Sequence, residues 1–135
     1  YTKWKNNSLV IEKWFEMMSA LNIEGEGLNL IKQLLKHKDF DYKNPNKLRS
    51  VLSTFQRENI LLFHANDSSG YKFISEQVAI IDKKNPQAAA RLVLPLTRFK
   101  NYSTERKNKI ISVLKSINKP FISSDLSEII EKSLI

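Results

Sequence analysis

The sequence predicts an all-α fold, an irregular α-solenoid of about seven helices paired antiparallel. Apolar residues recur at three- and four-residue spacing along nearly the whole chain, which is the period of a buried helix face. Three glycines and four prolines in 135 residues supply too few tight turns for a β-sandwich. Grouped in pairs, the helical stretches make units of about 35–40 residues, the size of a HEAT or armadillo repeat, although no strict repeat is visible.

The elements follow in order. Val10, Ile11, Trp14, Phe15, Met17 and Met18 mark a first helix after Asn7-Ser8, a plausible cap, and are read as its core face. Gly25-Glu26-Gly27 interrupts. Leu28, Ile31, Leu34 and Leu35 define a second helix, expected to end near His37, where a cation would suit the C-terminal dipole. Asn44-Pro45 opens a third with Leu48, Val51, Leu52 and Phe55 inward. Asn caps and Pro is preset for the first helical position. Ile60-Leu61-Leu62-Phe63 has no partner run to pair with as a strand and is expected to be a buried loop or helical turn.

The cluster Asn66-Asp67-Ser68-Ser69-Gly70 reads as turn and cap, with Asp67 capping a fourth helix through Tyr71, Ile74, Val78 and Ile81. Asn85-Pro86 opens the fifth helix in the manner of Asn44-Pro45, and Pro95 inside it predicts a kink or break. Ser103 or Thr104 caps the sixth (Ile110, Val113, Leu114, Ile117), which Lys119-Pro120 ends. Ser123 or Ser124, with Asp125 in the first turn, opens the last (Leu126, Ile129, Ile130, Leu134).

Composition narrows the function. The chain reads as one helical domain, residues 1–135, long enough to bury a core. It has no apolar run long enough to cross a membrane and no secretory leader. Cysteine is absent, which suits a reducing, cytoplasmic compartment. The net charge is +8, yet no block of five basic residues occurs, so a nucleic-acid partner is not the first expectation. Two distant histidines, His37 and His64, give no metal-ligand spacing, and His64 reads as a hydrogen-bonded structural residue. Neither a phosphate loop nor a nucleophile elbow occurs. Glu24/Glu26 and Glu128/Glu131 read as surface charges.

What remains is polar decoration on the Asn-Pro helices. Arg49 and Arg91 each follow their Asn-Pro by about one turn. On a regular helix Gln87, Arg91 and Arg98 fall within roughly 40° of one another, opposite Leu92, Leu96 and Phe99. Such a stripe is either solvated surface or the wall of a cavity for an anionic or carbonyl-rich ligand.

Four segments kept in order resemble the C-terminal end of the bacterial aminopeptidase N family, alanyl aminopeptidases of the gluzincin group of zinc metallopeptidases. They are Leu9-Val10-Ile11-Glu12-Lys13-Trp14-Phe15, Asn44-Pro45-Asn46-Lys47-Leu48-Arg49-Ser50, Phe63-His64-Ala65-Asn66-Asp67-Ser68-Ser69-Gly70-Tyr71, and Asn85-Pro86-Gln87-Ala88-Ala89-Ala90-Arg91-Leu92 with Thr97-Arg98-Phe99-Lys100-Asn101-Tyr102. The closing Glu131-Lys132-Ser133-Leu134-Ile135 also looks like that family. The resemblance implies the last part of a helical superhelix in a multidomain enzyme that removes N-terminal residues from peptides. It implies a zinc held by a thermolysin-like domain of the same polypeptide and none held here, so that the chain alone is inactive. It places Arg49, Gln87 and Arg91 on the wall of the enclosed substrate cavity. The start at Tyr1 without Met fits a piece of something longer. The family usually has Asp-Gly-Ser-Gly-Tyr where this chain has Asp67-Ser68-Ser69-Gly70-Tyr71, which implies strain at Ser68 if that position has a positive φ. Lys47 often appears there as Arg, and Ala88 as Val. The competing expectation is a stand-alone basic helical-repeat module binding an acidic protein or nucleic acid, betrayed by steep salt dependence.

Overall fold

The structure, a computed structural model, describes residues 8–21, 27–65, 67–99, 102–117 and 122–134, and among them the regular elements are all helical. They divide into two units, Tyr1–Ala65 and Asn66–Ile135, each taken by itself.

In the first unit, α1 (Ser8–Ala20) buries Ile11, Phe15 and Ser19 at four-residue spacing. Met17, expected inward, is 69% exposed. It lies about 200° around the helix from Phe15, and Ser19 takes the inward place instead. The cap expected at Asn7-Ser8 lies outside the described side chains. At the other end, buried Asn59 donates its amide to the carbonyls of Ser19 (3.1 Å) and Leu21 (2.9 Å), satisfying acceptors a helix end leaves open.

Helix α2 (Asn29–Leu35) buries Ile31 and Leu34 and ends before His37. The His37 ring meets Trp14 and Phe15, with centroids 5.3 and 5.5 Å away. Its Nδ1 accepts the Asp39 N–H at 3.1 Å. Burial, then the charge of Lys38, lowers its pKa below the ordinary 6.5. The expected helix-end cation is therefore a ring biased toward neutrality, because desolvation penalises its charged form.

Helix α3 (Pro45–Leu48) starts as the sequence predicts, with Asn44 Oδ1 accepting the N–H groups of Asn46 (2.9 Å) and Lys47 (3.4 Å). It passes into a π-helix (Arg49–Ser53) and then α4 (Thr54–Glu58). Leu48, Val51, Leu52 and Phe55 are all buried, as their spacing requires. These elements pack on α1. Ile60-Leu61-Leu62-Phe63 is one helical turn, α5 (Ile60–Phe63). Only Phe63 is buried, 6.1 Å from Phe55 by ring centroids, while Ile60 and Leu61 are 60% and 72% exposed. Of the two expectations, buried loop or helical turn, the run is the helical turn, and a four-residue turn has one face to bury.

In the second unit, α6 (Ser69–Asp82) buries Tyr71, Ile74, Val78 and Ile81 completely. Asp67 Oδ1 accepts the Ser69 N–H at 2.9 Å, and hydrogen bonding from the Ser69 side chain first, then from this N–H, holds its carboxyl below the ordinary range. Ser68 has φ 65° and ψ 11°, the left-handed region, and its side chain caps nothing. A side chain in that region is strained by about 1 kcal/mol or more, while glycine is at ease there but more mobile when unfolded. Ser68→Gly is therefore expected to stabilise the chain by roughly 0.5–1 kcal/mol in urea unfolding. A loss of stability would show that the hydroxyl makes a bond worth more than the strain.

Helix α7 (Pro86–Thr97) packs on α6 and on α9 (Ser124–Leu134), and α8 (Thr104–Ile117) packs on α6. Of the alternative caps, Ser103 accepts the Arg106 N–H and Ser123 accepts the Leu126 N–H, each at 3.3 Å. Ile110, Val113, Leu114 and Ile117 are buried, as are Leu126 and Ile130, whereas Ile129 and Leu134 are only half-buried. The stop expected at Lys119-Pro120 lies outside the described residues. Pro95 neither breaks nor ends α7, which runs on to Thr97. Sitting two residues from the end, it denies a donor to one carbonyl only, that of Arg91.

Candidate ligand-binding surface

Two surfaces carry the residues singled out above, one in each unit. On α7, Asn85 Oδ1 accepts the Ala88 N–H at 3.2 Å, which fixes the first turn and with it Gln87. Ala89, Leu92, Val93 and Leu96 face the core. Gln87 and Arg91, one turn apart, are exposed on the other side. The predicted stripe does not extend to Arg98 as drawn. Arg98 stands at the C-cap with φ −96° and ψ 59°, so helical spacing no longer positions it. Half-buried Leu94 also falls between Arg91 and Arg98. Phe99, beyond the helix end, is buried.

The charge around α7 is more one-sided than the stripe alone suggests. From residue 83 to residue 104 there is no Asp or Glu, while Lys83, Lys84, Arg91, Arg98 and Lys100 are present. Among the described residues, Lys83, Lys84, Arg91 and Arg98 enter no ion pair. Reading motifs alone overlooks Lys83 and Lys84, and the gap in acidic residues is the signal that finds them. A surface like this concentrates anionic groups within about a Debye length, ~8–10 Å at ordinary salt.

Arg49 belongs to the first unit, whereas Gln87 and Arg91 share the second. Arg49 opens the π-helix, is exposed, and donates from Nη2 to Asn46 Oδ1. The Thr54 hydroxyl donates to the Arg49 carbonyl, five residues back, at 3.3 Å. An extra residue in a helical turn is uncommon and often marks a functional position. Here it faces a cleft of ≈ 380 Å³ between α1 and the α3–π–α4 run. His64, the other chemistry-bearing residue, is half-buried with its ring 4.7 Å from that of Phe63, in keeping with a structural place.

Among the described residues no three His, Asp or Glu side chains gather as metal ligands.

Similarity to known proteins extends over the whole sequence. The family model described as "Domain of unknown function (DUF3458_C) ARM repeats" matches residues 1–135. Aminopeptidase N of Escherichia coli strain K12 is 38% identical over 133 residues, covering 98% of this chain and 15% of that protein. Aminopeptidase N of Haemophilus influenzae is 36% identical over 133 residues, with the same coverage of each. In three dimensions the chain resembles Legionella pneumophila aminopeptidase A, solved in complex with aspartic acid, with a TM-score of 0.91 at 34% identity, over 99% of this chain and 16% of that one. The chain thus spans about a sixth of the length of the relatives it matches.

Proposed function

The chain belongs to the family described as a domain of unknown function (DUF3458_C) with ARM repeats, and from that premise we propose that it walls the peptide cavity of an aminopeptidase. Its likeness to bacterial aminopeptidase N along 98% of its length carries this reading and makes it a C-terminal helical domain of that kind of protein. On this reading residues 1–135 are one helical domain. A thermolysin-like catalytic domain of the same polypeptide holds the zinc and cleaves N-terminal residues from peptides, in the cytoplasm. The domain encloses the cavity and limits which peptides enter, and alone it hydrolyses nothing.

The chemistry of α7 supports the reading. An arginine offers a planar fork to a carboxylate or to backbone carbonyls, and a glutamine can both donate to and accept from a peptide. Gln87 and Arg91 stand together on a helix whose flanks carry no carboxylate to compete. Arg49 is assigned the same task on the first unit.

Steady-state kinetics of the full-length enzyme test this. Arg91→Ala is expected to raise KM for peptides of several residues by about three- to tenfold, and to leave KM for an aminoacyl anilide nearly unchanged. An anilide has nothing beyond its first residue for the helix to hold. An equal change for both substrates removes Arg91 from peptide contact.

A further inference from the structure

The cleft of the first unit has walls of opposite charge that do not meet. On α1 it is lined by Glu12, Lys13 and Glu16, and on the opposite wall by Arg49, Ser53 and Arg57. Some of these charges are already answered. Glu16 pairs with Lys13 at 3.4 Å, and Arg57 with Glu58 at 3.1 Å, each on its own side. Among the described residues no ion pair within 4.0 Å crosses the cleft. Among the described residues half-buried Glu12 has no partner, and Arg49 has only the neutral Asn46. The walls are set by core packing: Ile11 and Phe15 on one side and Val51, Leu52 and Phe55 on the other are buried. That packing fixes the backbone positions from which Glu12 and Arg49 reach into the cleft.

We infer that this cleft binds a small zwitterion, a free α-amino acid or a dipeptide, with its ammonium on Glu12 and its carboxylate on Arg49. The charge pattern selects the class. With Glu16 offset by Lys13 and Arg57 by Glu58, one charge of each sign is left, so a simple anion is repelled by Glu12 and a simple cation by Arg49. A molecule carrying both charges at its two ends satisfies both walls with no net change of charge. A volume of ≈ 380 Å³ stands near the lower end of ligand sites, roughly 300–1,000 Å³, and suits a ligand of that size. Ser53 and Arg57 line the same cleft and add a hydroxyl and a second guanidinium to it.

The inference concerns this chain alone and does not depend on the peptidase reading. Glu12 and Arg57 play no part in that reading, so the two can fail separately. The test is a titration of the 135-residue chain, followed by backbone amide shifts in nuclear magnetic resonance. The probes are L-alanine, glycylglycine, N-acetyl-glycylglycine and glycylglycinamide. Saturable shifts confined to α1 and residues 46–57 are expected with glycylglycine or L-alanine, and whichever binds tighter sets the ligand length. N-acetylation or C-amidation should each weaken binding at least about tenfold, as loss of a charge-assisted hydrogen bond does. In Glu12→Gln the free and N-acetylated dipeptides should bind equally, and in Arg49→Gln the free and amidated ones should. Such pairing cannot arise from a merely structural defect. Blocked probes that bind the unsubstituted chain as well as glycylglycine does, or an absence of saturable shifts, would overturn the inference.

Discussion

Asp82→Ala is expected to destabilise the chain by roughly 3 kcal/mol, because it removes an acceptor that two donors share at a buried helix junction. Asp82 is the last residue of α6 and only 6% exposed. Its Oδ2 accepts the Ser123 N–H at 2.7 Å, and its Oδ1 accepts the Ser123 hydroxyl. That donation turns the hydroxyl so that its oxygen faces the Leu126 N–H, the first-turn donor it caps. One carboxylate thus ties the end of α6 to the start of α9 and orients the cap. Hydrogen bonds to charged groups contribute about 1.5–3 kcal/mol each, and a lost N-cap about 0.5–2, less than additively in one network. The consequence reaches the core, since Leu126 and Ile130 of α9 are fully buried and α9 packs on α7. Asp82→Asn keeps one acceptor oxygen but sets an amide donor against a donor, so about half the loss is expected. Urea unfolding followed by circular dichroism measures both. A loss below about 1 kcal/mol for Asp82→Ala would mean that water replaces the carboxylate without penalty.

That junction also marks a limit of what the sequence reveals. Helix faces were legible because burial repeats every three to four residues: Tyr71, Ile74, Val78 and Ile81 were named from spacing alone and are all fully buried. The two Asn-Pro caps were legible because their donors lie two or three residues away. Bonds spanning some forty residues leave no such trace, and Asp82 to Ser123 and Asn59 to the end of α1 are both of that kind. The π-turn at Arg49 was hidden for another reason. Leu48, Val51, Leu52 and Phe55 fit a regular helix equally well, so one extra residue does not disturb their pattern. Of the proposed cavity wall, Gln87 and Arg91 were placed together by spacing, because one helix carries both. Arg49 was tied to them by resemblance only, since no local rule connects residues on different helices. The mixed charge of the Glu12–Arg49 cleft was invisible until α1 and the π-helix lay side by side.

Tyr71→Ala is expected to have the largest effect on stability, a loss of about 3–5 kcal/mol, the range for emptying a large aromatic site. Tyr71 is fully buried near the start of α6, and its hydroxyl accepts a hydrogen bond from Arg106 Nη1 of α8 at 2.8 Å. The side chain therefore does two separable things: it fills volume, and it gives a half-buried guanidinium an acceptor. Tyr71→Phe removes only the second and should lose about 1 kcal/mol, rising toward 2 if water does not reach Arg106. Alkaline pH separates the two roles again. Burial raises the pKa of the Tyr71 phenol above the ordinary 10.0, outweighing the opposing pull of Arg106. The native chain therefore favours the protonated phenol more than the unfolded chain does. That contribution to stability is complete below 10.0 and is lost as pH climbs through the raised native value. Unfolding free energies followed from neutral pH upward should accordingly fall more steeply in the parent chain than in Tyr71→Phe once pH passes 10.0. Parallel curves would mean that the phenol is solvated well enough to ionise in place, and Tyr71 would then act on stability through packing alone.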